Sequence, residues 1–193
     1  WSGTNIGGYL WRVAATTDTS SPSTGPGPGV SDGNYLFTES SPGATADAIN
    51  LVTPPIDLIN LTNPSLSFDY HMFGATMGSL EVIVTQGSTS TTVFTLTGQK
   101  QTAETDSFLT KVINLSAYAN QTVQITFKGI RGTSFASDMA IDTIIVDELP
   151  ACPTISSLMV TNISSTSADL GWTVGGIETM WNVEWGTAGF TKG

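Results

Sequence analysis

Residues 65–72 read Ser65-Leu66-Ser67-Phe68-Asp69-Tyr70-His71-Met72, an unbroken alternation of apolar and polar side chains. In an extended chain successive side chains point to opposite faces. Leu66, Phe68, Tyr70 and Met72 therefore share one face, and Ser67, Asp69 and His71 the other. The same period of two recurs at 80–84 and 123–127, with further strand candidates at 9–14, 35–38, 49–52, 92–96, 109–115 and 139–146. Almost every one is bounded by Gly, Pro, Asn, Asp or Ser, the residues that build turns. No segment carries a sustained i, i+3, i+4, i+7 apolar stripe, so the chain is expected to be all-β with negligible helix.

The 193 residues are 39% hydrophobic, enough for the core of one or two domains. Only 11% are charged, and Ser, Thr, Asn, Gln and Gly take their place. That balance suits strand surfaces and turns better than helices. The formal charge of −10 repels polyphosphate and anionic lipid, and the few basic residues are scattered. Nucleic acid is excluded as a partner on this ground. No apolar run reaches the ~18 residues of a membrane span, so membrane insertion is not expected. Cys152 is the lone cysteine, which leaves no intrachain disulfide and no paired-cysteine metal site.

Residues 16–32, with Gly25-Pro26-Gly27-Pro28-Gly29 at their centre, are too rich in Pro and Gly for a ladder strand and are expected to form a long ordered loop. A second break at 148–153 contains two prolines and is read as a domain boundary, giving domains 1–149 and 150–193. Three strand-like runs follow it, at 157–160, 167–172 and 181–185. They are too few to close a sandwich, so the second domain is expected to be incomplete.

Eight stretches occur in the order characteristic of MAM domains: Trp11-Arg12, Ser23-Thr24-Gly25-Pro26, Gly33-Asn34-Tyr35-Leu36, Ser41-Pro42-Gly43, Leu66 to Gly74, Met77-Gly78-Ser79-Leu80, Gly129-Ile130-Arg131-Gly132 and Asp138-Met139-Ala140-Ile141-Asp142. Residues 1–149 thus resemble that family. The resemblance implies a jelly-roll-like antiparallel β-sandwich and an extracellular role in recognition. The cysteines typical of animal members and the acidic first strand are missing, which points to a secreted protein of bacterial type. Residues 153–193 resemble the start of a fibronectin type III module, an immunoglobulin-like β-sandwich, with Trp172 as its core tryptophan.

Relatives of the family often hold a structural cation where an early acidic residue meets the last strand. The resemblance thereby nominates calcium, with Asp142 as its first ligand, Asp32 second and Asp47 third; backbone carbonyls and water would complete the six to eight oxygens calcium needs. The plainer reading of Asp32 is an Asx turn and of Asp142 a strand-end acceptor. Asp69 and His71 share a strand face, but no nucleophile elbow or HExxH motif accompanies them. Phe73 and Phe135 fall in loops and are the candidate ligand-binding aromatics. The expectation is a non-catalytic recognition or adhesion module of a larger secreted or cell-surface protein, binding polysaccharide or an extracellular protein. A partner domain within the parent chain fits the same reading. The alternative is a spacer or accessory domain of a secreted hydrolase.

Overall fold

The computed structural model describes residues 1–15, 21–31, 33–149, 155–175, 181–186 and 191. They group into two compact units, Trp1–Glu148 and Leu149–Gly193.

Among its described residues the first unit contains twelve strands: β1 (Ser2–Gly3), β2 (Asn5–Ile6), β3 (Tyr9–Ala15), β4 (Asn34–Glu39), β5 (Ala48–Val52), β6 (Ile56–Asp57), β7 (Pro64–His71), β8 (Ser79–Gln86), β9 (Thr89–Thr97), β10 (Leu109–Asn114), β11 (Thr122–Ile130) and β12 (Ala140–Glu148). The only helical element described in it is one 3-10 turn, Ser116–Tyr118. The strands form two antiparallel sheets stacked as a jelly-roll-like sandwich. In one sheet the order is β1-β5-β11-β8-β9, with β6 also bonded to β11; in the other it is β10-β7-β12-β4-β3-β2. The short strands β1, β2 and β6 carry no alternation long enough to be read from sequence.

The alternation of β7 survives as a division between layers. Leu66, Phe68, Tyr70 and Met72 enter the main core, where they meet Leu80, Val82 and Val84 of β8 and Val123, Ile125 and Phe127 of β11. Phe68 stands edge-on to Phe127, with ring centroids 5.2 Å apart at 81°, the arrangement that aligns a positive ring edge with a negative ring face.

Around His71 the opposite face of the same sheet is covered rather than solvated. His71 is wholly buried there, its ring 5.5 Å from that of Phe108. Ala14, Tyr35, Phe37 and Ala140 form a second, smaller core on this face, joined by Phe108. The Pro/Gly-rich segment 21–31 contains no strand, and it is fastened by Gly25 N–H to Phe73 O (2.8 Å) and Gly27 N–H to Glu104 O (2.7 Å). Gln101, 3% exposed, binds the backbone around β7 at two points: its Oε1 accepts from Met72 N (2.7 Å) and its Nε2 donates to Tyr70 O (3.0 Å).

In the second unit β13 (Ser156–Thr161) pairs antiparallel with β14 (Asp169–Thr173), and Trp172 packs edge-on against Trp181, 5.4 Å away. Residues 181–186 are not in a strand, contrary to expectation. Alternation chooses a face, but a strand also needs a partner for its backbone groups, and none is bonded to this run among the described residues.

Candidate functional site

Charged residues meet inside one loop-bearing end of the first unit. Glu39, Arg131 and Asp138 are all buried there. The Arg131 guanidinium donates from Nε to Ser40 O (2.6 Å) and from Nη1 to Gly132 O (3.2 Å). Asp138 Oδ1 lies 2.8 Å from Ser40 N and 2.5 Å from Ser40 Oγ, while the same Oγ lies 2.6 Å from Phe135 O. Burial pushes the Asp138 carboxyl up to about 6, against the lowering effect of the Ser40 bonds. A hydroxyl has one proton to donate. Protonated Asp138 can donate to Ser40 Oγ and leave that hydroxyl free to bind Phe135 O.

This network fixes the loop that presents Phe135, a residue 49% exposed. The same loop is tied to the one bearing Phe73. Thr76 donates from N (3.2 Å) and Oγ1 (3.0 Å) to Ala136 O, and the Ser137 hydroxyl oxygen accepts from Gly78 N (3.1 Å) and Gly132 N (2.8 Å). Phe73 is half-buried, and its carbonyl also accepts from Thr24 Oγ1 (3.2 Å). The two aromatic candidates therefore belong to adjoining, cross-bonded loops.

Asp142 lies elsewhere, on the outer face of the second sheet. It is the direct cross-strand partner of Asp69. A cleft of about 300 Å³ opens between them, lined also by Val30, Ser31, Phe108 and Thr143. Asp142 Oδ1 accepts from Thr143 N (2.8 Å) and Oδ2 from Ser31 Oγ (3.4 Å), while Asp69 Oδ1 accepts from Thr110 Oγ1 (2.6 Å). Asp32 lies outside the described residues. Asp47 is half-buried just before β5 of the other sheet, accepting from Ala44 N (2.7 Å), and is a turn residue that does not join Asp142. Among the described residues no three His, Cys, Asp or Glu side chains converge as a metal-holding group. His71 is sealed beneath the covering loops. Burial lowers its pKa to about 4, with Asp106 opposing the shift.

Two features escaped the sequence reading. Asp69 faces Asp142 because of strand register, which alternation alone does not supply. Arg131 looks like another scattered surface base, and only the Gly129-Ile130-Arg131-Gly132 motif hinted that it does more.

Fold and site define a β-sandwich domain whose exposed loop aromatic, Phe135, sits on a buried polar scaffold. The chain belongs to the MAM domain family (meprin/A5/mu), whose family model matches residues 1–153. It is 33% identical over 122 residues to MAM domain-containing glycosylphosphatidylinositol anchor protein 1 of Gallus gallus, a match spanning 60% of this chain and 12% of that protein. It is 33% identical over 118 residues to MAM and fibronectin type III domain-containing protein 1 of Acropora millepora, covering 55% of this chain and 24% of that one. The chain thus corresponds to a small part of these relatives. Among solved structures, the K1 cleaved adhesin domain of Lys-gingipain from Porphyromonas gingivalis W83 aligns with a TM-score of 0.47 at 17% identity, over 77% of this chain and 94% of that domain.

Proposed function

We propose that residues 1–148 act as a non-catalytic recognition module of a larger secreted or cell-surface protein, and that the Phe135 loop is its contact surface. The observation that carries this reading is the combination of a half-exposed aromatic ring with a backbone held by a buried network. A ring presented this way costs little ordering entropy when it stacks on a sugar or inserts into a protein partner. The low charge and abundant hydroxyl and amide side chains favour polysaccharide or an uncharged protein surface over an ionic ligand. Extracellular placement is the reading that family membership supports. The second unit is proposed to be fibronectin type III-like, on the strength of the β13–β14 pair and the Trp172–Trp181 packing.

The test is affinity electrophoresis through gels containing neutral polysaccharides, together with pull-down of extracellular proteins by the intact chain. Retardation or capture lost in Phe135→Ala, with an unchanged unfolding midpoint, supports the module. Wild-type protein that runs unretarded and captures nothing favours a spacer.

Calcium is proposed at the Asp142 cleft. Asp142 and the Ser31 hydroxyl would supply protein oxygens, and Asp32 follows Ser31 directly in sequence. Thermal unfolding in millimolar calcium and in chelator tests it. A calcium-dependent rise in midpoint that Asp142→Ala removes is expected, because a ligand bound only by the folded state stabilises it. Identical midpoints in the two buffers rule the site out.

A further inference from the structure

The Ser40 hydroxyl faces more acceptors than it has hydrogens. Its oxygen lies 2.5 Å from Asp138 Oδ1 and 2.6 Å from Phe135 O, and Ser40 N donates to the same Oδ1 at 2.8 Å. A hydroxyl donates once, and two oxygens so close with no hydrogen between them repel. With Asp138 ionised, Ser40 serves either the carboxylate or the Phe135 carbonyl, and the other contact is left bare. With Asp138 protonated, both contacts close. The carboxyl O–H donates to Ser40 Oγ, and the Ser40 O–H donates to Phe135 O. The observed spacing is thus the geometry of the protonated carboxyl. Asp138 Oδ2 has no hydrogen-bond partner among the described residues, a state that costs a neutral carbonyl oxygen less than an anionic one.

We propose that Asp138 and Ser40 form a proton-operated latch on the Phe135 loop, closed while Asp138 is protonated and released when it ionises. The proposal rests on the reading of that loop as the contact surface and adds regulation to it. Ser40 directly follows β4, whereas Phe135 stands in the connection from β11 to β12, so the latch joins residues 95 positions apart. Once ionised, Asp138 draws the Ser40 hydrogen, because a hydrogen bond to a charged acceptor is stronger than one to an amide carbonyl. Phe135 O then keeps its bond from Ser137 N (2.7 Å), which lies within the same loop and ties it to nothing else. The bonds from Thr76 to Ala136 O persist, so release loosens the Phe135 segment without freeing the whole loop.

The surroundings of Asp138 set where the latch works. Its burial raises the carboxyl to about 6, the Glu39 carboxylate at the end of β4 adds to the rise, and the Ser40 bonds oppose it. From the other elements packed here come the Arg131 guanidinium, which bonds Ser40 O, the Asp47 carboxylate, which bonds Ala44 N, and the Tyr9 phenol, which burial holds neutral. His71 titrates lower, at about 4. The Phe135 loop is accordingly held most firmly in mild acid and loosened toward neutral pH.

Hydrogen–deuterium exchange of the Ser137 amide in the intact chain, corrected for its intrinsic rate at pH 5 and pH 7, is the test. It involves no ligand, so its outcome is separate from whether the loop binds anything. Wild-type protection is expected to fall about two- to tenfold from pH 5 to pH 7, the worth of one hydrogen bond. Ser40→Ala removes the latch while leaving Asp138 to titrate, and its protection should be equal at the two pH values. Asp138→Asn, which cannot ionise, should behave likewise. Wild-type protection that does not change overturns the proposal. So does a fall that Ser40→Ala retains in full, which would route the effect of pH around the latch.

Discussion

Gly78 and Gly132 pass each other backbone to backbone. A Cβ on Gly78 would lie 2.6 Å from the Gly132 amide nitrogen, and one on Gly132 would collide with the carbonyl of Thr76. The neighbours are main chain, which has no rotamer to yield. Gly132→Ala is therefore expected to cost at least the upper part of the ~1–3 kcal/mol typical of overpacking. Gly33→Ala, where the added carbon meets nothing within 4 Å, should stay within about 0.5 kcal/mol. Urea unfolding of both variants measures the difference.

Gln101 performs a strand's task with a side chain. Its amide satisfies Met72 N and Tyr70 O at the end of β7, in a place water does not reach. Gln101→Ala leaves both backbone groups buried and unpaired. The expected loss is about 2–6 kcal/mol, at ~1–3 kcal/mol for each orphaned group. Gln101→Glu keeps the acceptor but removes the donor and adds a buried charge, so it should be no less damaging. Urea midpoints of the two variants, compared at one pH, read the result.

Much of the architecture was legible because β7, β8 and β11 are half-core strands, in which burial imposes a period of two. Their inward residues are those the alternation names. What the alternation cannot report is the environment of the second face. Ser67, Asp69 and His71 read alike as polar, yet His71 is sealed by Phe108 and the covering segments while Asp69 lines an open cleft. That difference depends on residues more than 30 positions away in sequence, brought near by tertiary folding. Trp1 illustrates the same limit. It is 58% exposed beside Phe127, whereas Trp11 is buried, and nothing in the local sequence separates the two.

The facing carboxylates of Asp69 and Asp142 give a prediction of opposite sign in two buffers. Like charges directly opposite one another on adjacent strands destabilise a sheet by a few tenths to ~1 kcal/mol. In chelator, Asp142→Asn should leave stability unchanged or raise it by that amount, since an amide oxygen still accepts from Thr143 N. In millimolar calcium the same substitution should lower the midpoint relative to wild type, if the cleft holds the cation. Scanning calorimetry in both buffers reads the reversal, and a rise in both would remove calcium from the cleft.

His71 and Asp138 should pull the pH dependence of stability in opposite directions over the same window. With its pKa lowered to about 4, folded His71 binds fewer protons than the unfolded chain between about 4 and 6.5. Its contribution is complete above 6.5 and is lost as the pH falls through about 4. With its pKa raised to about 6, folded Asp138 binds more protons than the unfolded chain between about 3.8 and 6. Its contribution is complete below 3.8 and is lost as the pH rises through about 6. Wild-type stability is thus expected to vary only weakly from pH 4.5 to 6, and each group's slope should emerge when the other is removed. His71→Phe should be more stable at pH 4.5 than at pH 6.5, and Asp138→Asn less stable at pH 4.5 than at pH 6.5. Urea midpoints at the two pH values check both signs. The Asp138 result bears on recognition as well. Once Asp138 is ionised, the Ser40 proton is drawn toward the carboxylate and away from Phe135 O. Amide exchange across 133–137 should therefore quicken between pH 5 and pH 7 by more than the intrinsic base-catalysed rise, and Asp138→Asn should abolish that excess.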